Sequence, residues 1–243
     1  MKANTYDSTC QTARQLIEAI LGELKKDTDK VFNIAISGGT TPVVAMDIWA
    51  NDYADETPWD RLQFYWVDER CVWPDSPDSN YGTAKRFMFD FIPLPLKNIH
   101  PIIGPDNAEE EAKRYSAMVK AKLPEENNVP IFDLVLLGIG DDGHTSSIFP
   151  DRMDLMHSDK VYVVTVNPYN LKKRIAMTGP AIMQAKNTWF FVTGPEKANV
   201  IKNIFENKER ALQIPAGYIA LNARNTEFFL DRSASVFLSP FLK

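Results

Sequence analysis

Asp142 and His144 place a carboxylate and an imidazole close together in a glycine-rich segment, residues 138–144. The segment follows the apolar run 132–137, so we expect both side chains just beyond the end of a buried strand. Histidine is the side chain that ordinarily titrates nearest to neutral pH, and a neighbouring carboxylate orients its ring or stabilises its charge. The pair therefore predicts a general base. An inert histidine beside an aspartate that caps a helix has the same spacing, and for an isolated pair it is the more common case.

Residues 138–143 also match the G-x-G-x-x-G spacing of a dinucleotide-binding turn. Two features argue against that function. Pro150 cuts short the helix that has to follow, and Asn167 stands after the next strand, where the motif requires an acidic residue. We therefore expect these glycines to serve something other than a dinucleotide.

The turn at residues 37–42 is suited to holding an anion. Two adjacent glycines let its backbone bend closely around a ligand, hydroxyl side chains add hydrogen-bond donors, and Pro42 suits the first turn of a helix. A helix N-terminus attracts anions. From these features alone, phosphate binding and a turn that only caps its own helix are equally open. The candidate residues are Ser37, Gly38, Gly39, Thr40 and Thr41.

Arg174 and Lys197 are the candidate cations for a phosphate. Most surface cations are merely solvated, so the residue types alone say little. Lys197 is predicted in the first turn of a helix, where a cation is disfavoured unless an anion lies beside it. Its position therefore hints at an anionic ligand.

The elements that must position these residues alternate between strand and helix. Because near-continuous apolar strands need cover on both faces, the pattern predicts an α/β fold, a three-layer α/β/α sandwich with a mostly parallel, Rossmann-like sheet, in one domain spanning residues 1–243. Such sheets bind ligands beyond the carboxyl ends of their strands, where the candidate residues fall. Strands are predicted at residues 31–36, 62–67, 132–137, 161–166, 174–177, 189–192 and 219–221, helices at 9–25, 43–50, 81–91, 109–122 and 196–205, and loops at 93–105 and 123–130.

The composition restricts the partners. A formal net charge of −5 gives no general attraction to nucleic acid or to an anionic membrane, so we expect neither as a partner. No apolar run approaches the roughly 20 residues of a membrane span, and no secretion signal is visible, so we expect a cytoplasmic protein. Cys10 and Cys71 have no neighbouring ligands at metal spacing, which predicts neither a disulfide framework nor a zinc site. A monomer is the default expectation.

Taken in order, five segments resemble the motifs of the 6-phosphogluconolactonase and glucosamine-6-phosphate isomerase/deaminase superfamily. The resemblance spans nearly the whole chain. It implies that residues 37–41 hold a sugar phosphate together with Arg174 and Lys197, and that Asp142 and His144 lie beside the first carbon of the sugar. The segments are ISGGTTP, WVDERCVWPDSPDSNYG, FDLVLLGIGDDGHTSSIFP, KRIAMTGPAI and FFVTGPEKANVI.

Two positions distinguish the branches of this family. Its lactonases have Asp-Glu-Arg, which is Asp68-Glu69-Arg70 here, where its deaminases usually have Asp-Glu-Tyr. The deaminases also carry a glutamate five positions after the histidine, where this chain has Phe149. Both positions resemble the lactonase branch.

The resemblance implies hydrolysis of 6-phospho-D-glucono-1,5-lactone to 6-phospho-D-gluconate, a step of the oxidative pentose phosphate pathway. His144 would activate water, Asp142 would orient its ring, and Arg70 would stabilise negative charge on the oxyanion or the substrate. Asp68 belongs to the expected substrate site, and no cofactor or metal is expected. The partner is then a small phosphorylated sugar lactone.

Two alternatives stay open. In an isomerase or deaminase of the same fold, Asp68 would move a proton between the first two sugar carbons, and the missing glutamate argues against it. In a non-catalytic sugar-phosphate sensor, the base would have no purpose and a DNA-binding extension would be expected; none is visible.

Overall fold

Strands and helices alternate along most of the chain, as the sequence predicts. The computed structural model describes residues 1–238, so residues 239–243 of the expected domain lie outside the described residues. The strands are β1 (Lys2–Tyr6), β2 (Phe32–Ile36), β3 (Leu62–Trp66), β4 (Asp68–Arg70), β5 (Glu125–Glu126), β6 (Val129–Pro130), β7 (Leu134–Leu137), β8 (Tyr162–Val166), β9 (Lys173–Met177), β10 (Asn187–Val192) and β11 (Thr226–Asp231). The helices are α1 (Thr9–Lys26), α2 (Thr40–Asp52), α3 (Asn80–Phe87), α4 (Ala108–Lys122), α5 (Gly179–Met183), α6 (Ala198–Glu206), α7 (Lys208–Ala211) and α8 (Pro215–Asn222).

The central sheet has six strands in the order β1-β11-β10-β7-β2-β3, and every neighbouring pair is parallel. All residues of β7 and β10 are buried, and because successive side chains point to opposite faces, both faces of the sheet are covered. The predicted α/β sandwich with a parallel, Rossmann-like sheet is therefore confirmed. From β2 the chain winds outward to β3 and then returns to β7 on the other side. The β2/β7 junction is a topological switch point, where sheets of this kind bind ligands.

A second, antiparallel sheet with the order β4-β9-β8 is a feature that the sequence prediction missed. Segments 161–166 and 174–177 are strands as predicted, but they do not extend the parallel sheet. Residues 68–70, which the sequence analysis assigned to no strand, also form a strand of this second sheet. β4 consists of the charged residues Asp68–Arg70 and follows β3 after the single residue Val67, so one continuous stretch of chain enters two sheets. β4 pairs with β9, about a hundred residues further along the chain, and a pairing between such distant segments leaves no local pattern in the sequence.

Residues 219–221, predicted as a strand, lie in helix α8. Pro215 begins that helix, and Ile219 and Ala220 are buried within it. A short apolar run does not distinguish a buried helix from a strand, which is why the prediction was wrong. The strands that complete this side of the sheet are β11 and β1, which the sequence prediction missed.

Smaller differences concern the ends and interruptions of elements. The helix predicted at 81–91 ends at Phe87, because Met88 leaves helical geometry with φ −142° and ψ −60°, and a separate 3-10 turn follows at Phe89–Phe91. The loop predicted at 123–130 contains the β5/β6 hairpin, whose turn residues Asn127 and Asn128 have left-handed φ values of 55° and 64°.

Over residues 1–238, no helix has both the length and the apolar character needed to cross a membrane.

Candidate active site

A cleft of about 290 Å³ opens beyond the carboxyl ends of the central strands, on both sides of the β2/β7 junction. Asp142 is the one predicted residue that does not line it directly, because it lies behind His144. The predicted site residues that do line it are Ser37, Gly38, Gly39, Thr40, Thr41, Asp68, Arg70, His144, Arg174 and Lys197. Segments far apart in sequence therefore meet in one place.

His144 is held by Asp142 through two hydrogen bonds. Its Nδ1 lies 2.6 Å from Oδ1 of Asp142, and its backbone N–H donates to the same oxygen at 3.0 Å. Since an ionised carboxylate only accepts hydrogen bonds, Nδ1 carries the proton in this arrangement. Nε2 then has a free lone pair, and no protein group within residues 1–238 bonds to it. The ring is thus arranged as a base.

Asp142 stays ionised in this arrangement. Burial alone would raise the pKa of its carboxyl, but the hydrogen bonds from His144 and from the Tyr169 hydroxyl outweigh burial and hold that pKa below its ordinary value. The Tyr169 hydroxyl donates to Oδ2 of Asp142 at 2.6 Å. Both carboxylate oxygens are therefore occupied.

Gly140 explains the glycine pattern in this segment. A Cβ on Gly140 would lie 2.0 Å from His144 Nδ1 and 2.8 Å from Asp142 Oδ1, whereas a Cβ on Gly138 would meet nothing within 4 Å. The absence of a side chain at position 140 makes room for the imidazole. No α-helix follows the segment directly: residues 145–148 form a tight hairpin, and a 3-10 helix, Pro150–His157, comes next. A dinucleotide-binding turn would lead directly into an α-helix.

Phe149 packs against the imidazole on its other side. The ring centroids of His144 and Phe149 are 4.6 Å apart with an interplanar angle of 35°, and Phe149 is buried. The residue five positions after the histidine therefore contacts it directly, as a group that neither donates, accepts nor holds a proton.

The N-terminus of α2 forms one wall of the cleft. Gly39 precedes the helix with φ 113°, a left-handed value that favours glycine, and no side chain caps the first turn. The helix begins at Thr40, earlier than predicted, so Thr40 and Thr41 lie in that first turn with their N–H groups free for an anion. Ser37 anchors the turn by donating to the Leu136 carbonyl at 2.8 Å, which ties β2 to β7.

Arg70 and Arg174 lie opposite each other in the β4/β9 pair. Burial lowers the pKa of Arg174, the Asp68 carboxylate 3.9 Å away opposes this, and the Arg70 charge adds to the lowering. The Arg174 side chain is only 14% exposed, and the Nε atoms of both arginines are buried without a hydrogen-bond partner among the residues described. The two facing guanidinium groups concentrate positive charge in this part of the cleft, and the carboxylates of Asp68, Glu69 and Asp78 offset part of it.

Lys197 ends the 3-10 turn Pro195–Lys197 and precedes α6, so it lies just before the helix in which it was predicted. Its ammonium group is paired with the exposed carboxylate of Asp141. The anion predicted beside Lys197 is thus the carboxylate of Asp141 in this structure. The pair links the start of α6 to the segment that carries His144.

Asn80 and Ser147 are polar residues of the cleft that the sequence prediction missed. Asn80 Nδ2 donates to the carbonyl oxygen of Asp68 at 2.9 Å and to its Oδ1 at 3.2 Å, and Ser147 Oγ donates to Oδ2 of the same side chain. Asn80 also fills the space beside Gly38, where a Cβ would lie 1.9 Å from Asn80 Oδ1. A residue just after the N-cap Ser79 looks like part of a helix start, so nothing in the sequence marked it.

Glu69 positions Asn80 and Arg70 from behind the cleft. Its buried carboxylate accepts hydrogen bonds from the backbone N–H groups of Arg70, Asn80 and Tyr81 and from the Ser79 hydroxyl. Burial raises the pKa of Glu69 to about 7 although the three backbone hydrogen bonds oppose it. The side chain thereby fastens the start of α3 to β4.

The fold and the cleft together define an α/β protein in which a free helix N-terminus and an oriented histidine lie on either side of one topological switch point. The sequence matches the family model of glucosamine-6-phosphate isomerases/6-phosphogluconolactonase over residues 5–228. The chain belongs to this family. Within residues 1–238, no group of three or more His, Cys, Asp or Glu side chains is placed to hold a metal ion.

Individual relatives agree with this assignment. The 6-phosphogluconolactonase of Aggregatibacter actinomycetemcomitans is 35% identical over 233 residues, covering 95% of this chain and 98% of that protein. The crystal structure of a devB protein superposes with a TM-score of 0.92 at 32% identity, covering 98% of this chain and 99% of that one. The 6-phosphogluconolactonase of Trypanosoma brucei gives a TM-score of 0.87 at 25% identity, with 98% of each chain covered.

Proposed function

We propose that this protein hydrolyses 6-phospho-D-glucono-1,5-lactone to 6-phospho-D-gluconate. The observation that carries the proposal is the imidazole of His144, whose Nδ1 is held by Asp142 while Nε2 stays free beside an anion-binding cleft. The relatives named above as 6-phosphogluconolactonases support it.

The chemistry follows from that geometry. Nε2 of His144 takes a proton from water while the water oxygen attacks the lactone carbonyl carbon. The resulting tetrahedral oxyanion collapses, the bond between that carbon and the ring oxygen breaks, and the protonated imidazole returns its proton to the departing oxygen. Asp142 stabilises the imidazolium between the two steps. No covalent intermediate is required, because a base combined with positioning is sufficient for a reactive cyclic ester.

In this proposal, different cations bind the phosphate and the lactone carbonyl of the substrate. The N-terminus of α2, Arg174 and Lys197 hold the phosphate, and Asp141 releases Lys197 when the phosphate arrives. Arg70 stabilises the developing negative charge at the carbonyl. Its Nη1 donates to the Asp78 carbonyl at 2.5 Å, which limits the movement of the guanidinium group.

The deaminase alternative fits this cleft less well. The Asp68 carboxylate, which would move a proton between sugar carbons in a deaminase, is held by Asn80 at one oxygen and by Ser147 at the other, which restricts its movement. The ring-opening acid is replaced by the apolar Phe149 in contact with His144. A purely sugar-phosphate-binding function would leave the oriented base without a purpose.

The purified protein should acidify a solution of 6-phosphogluconolactone much faster than the lactone decays alone, and should release no ammonia from glucosamine 6-phosphate. His144→Ala should lower turnover by about 100-fold or more, since general bases contribute roughly that much. Activity should be unchanged by a metal chelator. Ammonia release without lactone hydrolysis would transfer the protein to the deaminase branch, and loss of activity in chelator restored by zinc would refute the base mechanism. A monomeric state, a cytoplasmic location and the lack of nucleic-acid or membrane partners stay predictions.

A further inference from the structure

We propose that Tyr169 is a positioning residue for the base, acting through Asp142 on His144. The inference rests on the proposed function, because it assigns a role within the same site. Tyr169 is not part of the cleft wall and lies 27 positions after Asp142, yet its hydroxyl donates to Oδ2 of Asp142 at 2.6 Å.

The contact completes the set of bonds that fix the carboxylate. Oδ1 of Asp142 accepts from the backbone and the ring of His144, and Oδ2 accepts from Tyr169. A carboxylate held at both oxygens rotates about its Cβ–Cγ bond less readily than one held at a single oxygen. Tyr169 therefore keeps Oδ1 aimed at Nδ1, and that bond keeps the proton on Nδ1 and the lone pair on Nε2.

The hydroxyl also has the right protonation for this function. The hydrogen bond to the Asp142 carboxylate, with a smaller contribution from burial, raises the pKa of Tyr169 above its ordinary value. The phenol thus remains a donor throughout the neutral pH range. A donor to the charged form of a carboxylate stabilises that form.

A second contact runs through the aromatic rings. Tyr169 meets Phe149 edge to face, with 6.2 Å between centroids and an interplanar angle of 76°, and Phe149 packs on the opposite side against the imidazole. The imidazole is therefore supported by Asp142 at its Nδ1 edge and by Phe149 at its face. Tyr169 touches both supports.

The loop between β8 and β9 is built to present this side chain. The Asn167 side chain accepts from the Tyr169 N–H at 2.8 Å, and the Asn167 carbonyl accepts from the Leu171 N–H at 2.8 Å. Leu171 has a left-handed φ of 58°, which closes the loop, and Lys172 pairs with Asp78 at 2.8 Å on the neighbouring loop. The loop between two strands of the second sheet therefore places Tyr169 beside Asp142 and His144, which follow β7 of the central sheet.

Tyr169→Phe tests the proposal because it removes the hydroxyl and keeps the ring on Phe149. Tyr169 is 71% exposed and one of three donors to the carboxylate, so we expect kcat to fall only about 3- to 10-fold, less than for a buried charge-assisted hydrogen bond, because solvent screens an exposed one. KM and the affinity for the product should not change. The matched control is Tyr53→Phe, because the Tyr53 hydroxyl donates to the Glu18 carboxylate at 3.1 Å at a place remote from the cleft; this variant should match the wild type.

A second measurement is independent of activity. Two-dimensional ¹H–¹⁵N spectra of the histidine rings show which nitrogen carries the proton, and the His144 signals are assigned by their loss in His144→Ala. Wild type should show the proton on Nδ1, and Tyr169→Phe should show a larger share of the Nε2–H form. An unchanged kcat, a change confined to KM, or an unchanged tautomer would overturn the role of Tyr169. If wild type lacked lactonase activity, the proposed function would fall, while the spectra would still decide whether Tyr169 fixes the tautomer.

Discussion

Gly140→Ala should disable the base without unfolding the protein. The added methyl carbon would lie 2.0 Å from Nδ1 and 2.1 Å from Cε1 of His144, whereas ordinary contacts lie near about 3.5 Å. The imidazole therefore has to move by more than about 1 Å, and a displacement of that size at a reacting group costs roughly 100-fold in rate, about 2.7 kcal/mol of activation free energy. Because the methyl meets the end of a partly exposed side chain and not the backbone, the ring yields and the fold is retained.

The assay for this prediction compares initial rates of acidification for Gly140→Ala, Gly22→Ala and the wild type. Gly22→Ala is the control, since its Cβ would meet nothing within 4 Å and Gly22 lies in α1 outside the cleft, and it should retain full activity. Adding Gly140→Ala to His144→Ala should cause no further loss, because both changes remove the same base. A Gly140→Ala variant with more than about a third of wild-type kcat, or equal losses at the two glycines, would refute the reasoning.

Two further predictions concern charge. Arg174→Met should raise KM for the lactone about 10- to 100-fold, because the charge-assisted hydrogen bonds to the substrate are lost. Its melting temperature should stay unchanged or rise, because the variant lacks a buried guanidinium that faces Arg70. Arg152→Met, which breaks an exposed pair with Asp154, is the control, and a fall in melting temperature with unchanged KM for Arg174→Met would contradict the assignment. His100, stacked on Tyr65 away from the cleft, has its pKa lowered by burial to about 4. The unfolded chain binds a proton near pH 6.5 and the folded protein does not, so the free energy of unfolding should fall as pH drops from 6.5 towards 4, and His100→Phe should flatten that part of the denaturation profile.

The elements around the cleft could be predicted from sequence wherever the signal was local. The apolar runs that became β2, β3, β7 and β10 are continuous, and the candidate residues follow them directly, so their meeting at one edge of a parallel sheet was predictable. The second sheet was not, because β4 has only three residues and its pairing with β9 joins segments about a hundred residues apart. Its consequence, the facing pair Arg70 and Arg174, was therefore missed as well.

The missing part of the site consists of residues whose roles arise only from tertiary contacts. Tyr169 occupies an exposed loop with no periodicity, and Asn80 occupies the first turn of a short helix. Ser147 has a left-handed φ of 53° that no serine pattern predicts, and its hydroxyl reaches a carboxylate 79 positions away. Sequence patterns predict whether a side chain points towards the core, but not which distant polar group it will contact.

The junction between the two sheets makes the site depend on both. Val67 joins β3 to β4, its N–H donates to the Ile36 carbonyl in the central sheet at 3.0 Å, and its carbonyl accepts from the Met177 N–H of the second sheet at 2.7 Å. The Ser146 hydroxyl, two residues beyond the base, donates to the same carbonyl at 2.6 Å. A shift of one sheet against the other would therefore move His144 relative to Arg70 and Arg174 and would also separate Asp142 from Tyr169. The backbone of Val67 therefore fixes the position of His144 relative to Arg70, Arg174 and Tyr169, and the proposed mechanism requires these relative positions.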